Sequence, residues 1–139
     1  RIIDQLGAKR ALFVLQYGYN QIGARMDPRD FEVEVKLIIK AKNTEEHTPA
    51  LGKGIVSLCK LVDETGSLNK AAAEMGMAYS KAWSILKHAE ESFDIQLLRR
   101  KGNKGSELTP EARRLIAIYE ELQKQLDEQA ASLLDELLR

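Results

Sequence analysis

With 139 residues, 21 basic against 21 acidic side chains and no formal net charge, the chain has no bulk field to draw it to nucleic acid, so any electrostatic function must come from local charge distribution. Its 44% hydrophobic content predicts an ordinary soluble domain with one buried core and excludes disorder as the dominant state. A single cysteine, Cys59, cannot form an internal disulfide, and neither a signal-peptide pattern nor a membrane-spanning apolar run is present, which predicts a reducing cytoplasm and no membrane. Arg1, in place of a methionine, reads as the start of a processed, truncated or excised chain.

Residues 1–30 place Ile3, Leu6, Phe13 and Tyr17 at roughly helical spacing, loosened by Gly7, Gly18 and Gly23, and are read as a helical segment of unassigned role. From Phe31 to Lys40 the chain alternates, with Phe31, Val33, Val35, Leu37 and Ile39 on one face and mostly charged residues on the other, which predicts a half-buried strand. Leu51, Ile55, Leu58, Cys59 and Val62 then fall on one helical stripe that Gly66 should end. Ser67 is positioned to cap a short second helix that stops at Gly76.

Two short helices across a glycine turn are the mark of a helix-turn-helix. A third helix follows from about Ala78 to Phe93, with Ala82, Ile85, Leu86, Ala89 and Phe93 inward and Ser80, Lys81, Ser84, Lys87, His88 and Glu91 outward. Beyond it, RRKGNKGSEL reads as a β-hairpin with a basic tip. Thr109 as cap, Pro110 at the first helical position and Glu111 beside the dipole predict a last helix. Its apolar positions recur as far as Leu137.

The expected fold is mainly α with a small β-sheet: a winged helix-turn-helix over 31–109, preceded by the segment 1–30 and followed by a long C-terminal dimerisation helix over 110–139. Such a fold lays its recognition helix in the major groove while flanking parts hold phosphates. Tyr79, Ser80, Lys81, Ser84 and Lys87 are the candidates on that helix. Arg99, Arg100, Lys101 and Lys104 of the wing, with Ser67 at the start of the second helix, are the candidates for the backbone. The stretch from Leu97 to Gly105 contains bases and no acid, whereas the last helix carries seven acids (Glu111, Glu120, Glu121, Asp127, Glu128, Asp135 and Glu136) against four bases (Arg113, Arg114, Lys124 and Arg139). DNA would repel that helix. Its stripe, including Leu115, Tyr119, Leu122, Leu126 and Leu133, is instead assigned to a homodimer interface.

Other side chains read as structural. Trp83, close to the buried stripe, is expected to pack in the core rather than meet a base or sugar, and Cys59 to be an inert core thiol. His47 and His88 have no partner ligands at metal-binding spacing, the GNKG tip lacks the GK[ST] ending of a P-loop, and adjacent carboxylates such as Glu120 and Glu121 do not face each other on a helix. No nucleophile, base and orienting group occur together. No enzyme activity, metal or cofactor is therefore expected.

The run GSLNKAAAEMGMAYSKAW, its AxxxG-x-x-Y-x-x-AW core spanning Ala72 to Trp83, and the later LTPEARRLIAIYEEL resemble the DNA-binding domain of ModE-type molybdate-responsive transcriptional regulators, and more distantly the N-terminal domain of LysR-type regulators. The resemblance covers about Phe31 to Leu126. It implies a winged-helix homodimer on double-stranded DNA carrying a palindromic operator. Molybdate binding is not expected in this chain, because the single helix that remains after the wing cannot enclose an oxyanion. A winged-helix adapter that binds protein instead of DNA is the alternative.

Overall fold

The computed structural model describes residues 2–17, 26–42, 50–103 and 105–139, which divide into two compact units, Val35–Gln125 and Arg1–Glu34 with Leu126–Arg139. The larger unit contains α2 (Lys53–Thr65), α3 (Leu68–Glu74), α4 (Tyr79–Phe93), β1 (Leu98–Arg100), β2 (Ser106–Leu108) and most of α5 (Pro110–Leu138). The smaller one contains α1 (Ile2–Tyr17), a single 3-10 turn at Pro28–Asp30 and the end of α5. Among the described residues no helix is long and apolar enough to cross a membrane.

Local chemistry sets the helix ends of the larger unit. Gly66 adopts a left-handed conformation at φ 71° and donates its N–H to the Val62 carbonyl, closing α2. Ser67 Oγ accepts from Lys70 N at 3.2 Å and opens α3. Ala78 precedes α4 without a side-chain cap, and its carbonyl accepts from Ala82 N at 3.1 Å. At α5, Thr109 Oγ1 accepts from Ala112 N at 3.1 Å and also donates to the Gln96 carbonyl.

One core joins these elements. Leu51, Leu58, Cys59, Val62, Ala71, Ala82, Leu86, Ala89, Leu97, Ala112, Ile116 and Tyr119 are all buried in it, and each Leu or Val removed from water contributes about 1.5–3 kcal/mol. Ala71, Ala82 and Ala89 are small enough to let α2, α3 and α4 approach closely. The expected helical stripe needs one correction: Leu51 lies outside α2, and Val56 is buried in its place along the helix.

The predicted strand at Phe31–Lys40 does not form. The alternation holds from Val33 to Ile39, since Val33, Val35, Leu37 and Ile39 are half-buried while the residues between them are exposed, but Phe31, expected on the same face, is exposed. The pairing does not: among the described residues only an isolated antiparallel bridge joins Ile39 to Leu51. Side chains of α5 supply partners that a neighbouring strand would have supplied. Tyr119 Oη donates to the Leu37 carbonyl at 3.0 Å and Gln123 Nε2 donates to the Val35 carbonyl at 2.8 Å.

In the smaller unit, Asp27 caps the 3-10 turn by accepting from Arg29 N at 2.9 Å, and the two side chains pair at 2.6 Å. The helix expected within residues 1–30 is α1, whose Leu12 and Leu15 are exposed. Gly18, Gly23 and His47 lie outside the described residues.

Candidate nucleic-acid interface

The wing is built as a two-stranded antiparallel hairpin. Leu98 faces Leu108, Arg99 faces Glu107 and Arg100 faces Ser106, and Lys101 N donates to the Gly105 carbonyl at 3.1 Å. Gly102 turns the tip at φ 60°, a conformation that costs glycine little. Gly105 serves another purpose, because a Cβ there would stand 2.8 Å from the Gly66 carbonyl oxygen. That carbonyl accepts from Ser106 N at 2.9 Å. The second wing strand is thus docked on the turn between α2 and α3.

The wing is fastened to α4 as well. Glu90 is largely buried, and its Oε1 accepts from Leu97 N at 3.0 Å and Leu98 N at 3.3 Å, while Oε2 pairs with Lys87 Nζ at 3.2 Å. One carboxylate therefore fixes the spacing between the helix and the hairpin. Charge-assisted bonds to a shielded carboxylate are stronger than neutral ones, and this geometry pre-sets the surface on which a ligand would act.

The larger unit brings both sets of basic candidates onto neighbouring elements. Tyr79, Ser80 and Lys81 are exposed in the first turn of α4, Ser84 is half-buried, and Lys87 is exposed. Arg100 and Lys101 are exposed on the wing, and among the described residues no ion pair engages them or Lys81. Arg99 is different, since its Nε binds Glu107 Oε1 at 2.8 Å. The acid-free window from Leu97 to Gly105 ended two residues short of that partner. Lys104 lies outside the described residues. Ser67 has its hydroxyl engaged as the cap of α3.

Trp83 is not a core residue. It is 50% exposed and Tyr79, one turn earlier, is 51% exposed. The ring sits about 100° round the helix from Ala82 and so beyond the edge of the buried stripe. Lys87 Nζ stands 5.6 Å from its centroid, within the range of a cation–π contact. Tyr79, Trp83 and Lys87 form one wall of a cleft whose other wall includes Leu98, Arg100 and Ser106.

Cys59 is wholly buried, and burial followed by the nearby Glu90 charge pushes its thiol up to about 12. Such a thiol neither attacks nor ligates at neutral pH. Along α5, Leu115 packs against the core, Tyr119 is buried with its hydroxyl engaged, Leu122 is 39% exposed, and Leu126 and Leu133 are half-buried. Lys60–Glu120 and Arg113–Asp63 ion pairs, both at 2.9 Å, tie this helix to α2. Hydrogen bonding to those carboxylates holds both cations above their ordinary values.

Residues 56–113 match the family described as bacterial regulatory helix-turn-helix protein, lysR family. The chain is also 35% identical over 78 residues to the molybdenum transport protein ModE of Herbaspirillum seropedicae, a similarity covering 53% of this chain and 29% of that protein. The segment matched by the family runs from within α2 through α3, α4 and the hairpin into the first turn of α5, so this part of the larger unit is similar to the LysR-type helix-turn-helix, and the chain spans under a third of the length of the ModE protein it resembles.

Proposed function

We propose that the chain is a sequence-specific regulator of transcription that binds duplex DNA through α4 and the wing and has no catalytic role. The observation that carries this is the pairing of an exposed α4 N-terminus, with Ser80 and Lys81, and a wing bearing exposed Arg100 and Lys101, within one compact unit. Ser80, Lys81 and Ser84 then meet base edges from within the major groove, with Tyr79 and Lys87 at its border. Arg99, Arg100, Lys101 and Lys104 hold phosphates, and Ser67 lies beside the strand at the start of α3.

The active form is a homodimer on a palindromic operator. Leu122, with 39% of its surface exposed, and Ile118, with 49%, are large apolar side chains on α5 that a second copy would cover. Tyr119 and Leu115 instead support that surface from beneath. The relative is named for molybdenum transport and this chain covers 29% of it; the proposed role is confined to DNA binding, with no molybdate site assigned.

Selection of bound sequences from a random duplex pool by the purified chain tests the proposal. A palindromic consensus is expected, with half-sites about one helical turn apart or a multiple of it. Recovery of no sequence preference would refute specific binding. A monomer in light scattering, alone and on the selected duplex, would refute the dimer.

A further inference from the structure

We propose that the cleft between α4 and the wing seats the sugar–phosphate backbone of one DNA strand, with the Trp83 ring packed on a deoxyribose and Lys87 and Arg100 on the flanking phosphates. This rests on the duplex-DNA reading above and assigns Trp83 as a positioning residue for it.

Three features of the cleft support the assignment. First, its α4 wall presents two large rings to water, Tyr79 and Trp83, four residues apart on one helical face. Second, the Trp83 ring is held in place: Lys87 lies over it and is anchored by Glu90, whose other oxygen binds the backbone at the root of the wing. The cleft, of about 380 Å³, is therefore built before any ligand arrives, which lowers the ordering cost of binding. Third, the rings are flanked by Lys87 and faced by Arg100, with the Ser106 hydroxyl also in the lining; Lys87 is paired with Glu90, which lines the cleft too, whereas no ion pair engages Arg100 among the described residues.

That alternation matches the chemistry of a nucleotide backbone. A deoxyribose presents C–H groups to an aromatic face, and the anionic phosphates on either side meet the cationic rims. When a recognition helix lies in the major groove and the wing lies alongside, one strand must pass between them. A docked peptide helix would require a broader apolar groove for anchors at i, i+3, i+4 and i+7. Charge complementarity favours the DNA strand over that occupant.

Trp83 is the sole tryptophan of the chain, so emission excited at the red edge, where indole absorbs and the four tyrosines do not, reports this position alone. The full chain is titrated with the duplex selected from the random pool and with an unrelated duplex of equal length. Emission should change on both. Trp83→Ala should weaken both about tenfold through loss of buried apolar area, Trp83→Phe should restore most of the affinity, and neither should alter the salt dependence, because the contact carries no charge. Arg100→Ala should instead flatten the salt dependence by about one unit. Replacing thymine by deoxyuridine in the selected duplex should leave the Trp83→Ala loss unchanged.

A loss confined to the selected duplex, or abolished with the thymine methyl, would place Trp83 on a base edge and overturn the proposal. Tight binding with unchanged emission would overturn it by removing the cleft from the interface. If Trp83→Ala fails to fold by circular dichroism, wild-type emission and Trp83→Phe still decide. Binding of neither duplex by the wild-type chain would sink the DNA reading itself, a separate outcome.

Discussion

Thr109→Val should destabilise the larger unit out of proportion to its size. The side chain caps α5 at Ala112 N, donates to the Gln96 carbonyl, and sits 5% exposed beside a fully buried Ala112. Valine keeps the volume and removes both bonds. An exposed cap would cost about 1 kcal/mol because water replaces the hydroxyl. Here water cannot reach the Ala112 N–H, so the cost moves to about 1–3 kcal/mol for a stranded buried donor. The Gln96 carbonyl belongs to an exposed residue and can turn to water, adding little. A total of about 1–3 kcal/mol corresponds to a fall in Tm of about 4–20 °C for a unit of this length. Thr109→Ser keeps both hydrogen bonds and should lose about 1 kcal/mol for the missing methyl. Thermal melts followed by circular dichroism measure both. The reasoning fails if valine melts within about 3 °C of wild type, or if serine is as damaging as valine.

The remaining expectations concern the interface and the core. Lys81→Ala should reduce affinity for the selected duplex more than for unrelated DNA, while Arg100→Ala with Lys101→Ala should weaken both alike and flatten the salt dependence by roughly two units; binding assays across a salt series separate the two. Gly105→Ala should cost about 1–3 kcal/mol and speed amide exchange at Ser106, since the new Cβ meets the Gly66 carbonyl at 2.8 Å. For Cys59, the folded state keeps its proton up to about 12 whereas the unfolded chain releases it near 9.0. Above pH 9.0 the unfolded state binds fewer protons, so stability should fall towards higher pH, by up to about 1.4 kcal/mol per unit. Denaturant titrations of wild type and Cys59→Ala check this: the alanine variant should lack that part of the slope.

Helix ends were legible in the sequence because a cap is local chemistry. Gly66, Ser67, Gly76 and the Thr109–Pro110–Glu111 start do in space what their residue types require nearby. The stretch Phe31–Lys40 was half legible. Its period-2 alternation fixes which face is buried, but not what satisfies its backbone, and the partners proved to be Tyr119 and Gln123, more than eighty residues further on. Trp83 was misread because its residue type argued for burial while its angle on α4 did not. The Arg99–Glu107 pair depends on hairpin register, and the purpose of Gly105 on an approach to Gly66. Both arise only when distant segments meet.

The paired cations lead to a final test of how the chain uses its charge. Arg99 is bound to Glu107 at 2.8 Å, with the carboxylate the less exposed partner. A guanidinium compensated in this way releases fewer counterions when it meets a phosphate than Arg100 or Lys101 would, because part of its charge is already neutralised. Glu107→Gln preserves size and hydrogen bonding while removing that compensation. Affinity should therefore rise on selected and unrelated duplexes alike, and the salt dependence should steepen by up to about one unit. The surface ion pair itself is worth little, about 0–1 kcal/mol, so the melting temperature should barely move. Binding isotherms over a salt series, with a thermal melt as control, read both quantities. An unchanged salt slope with an intact fold would mean that Arg99 does not face a phosphate, and that the wing's electrostatic contribution comes from Arg100, Lys101 and the tip alone.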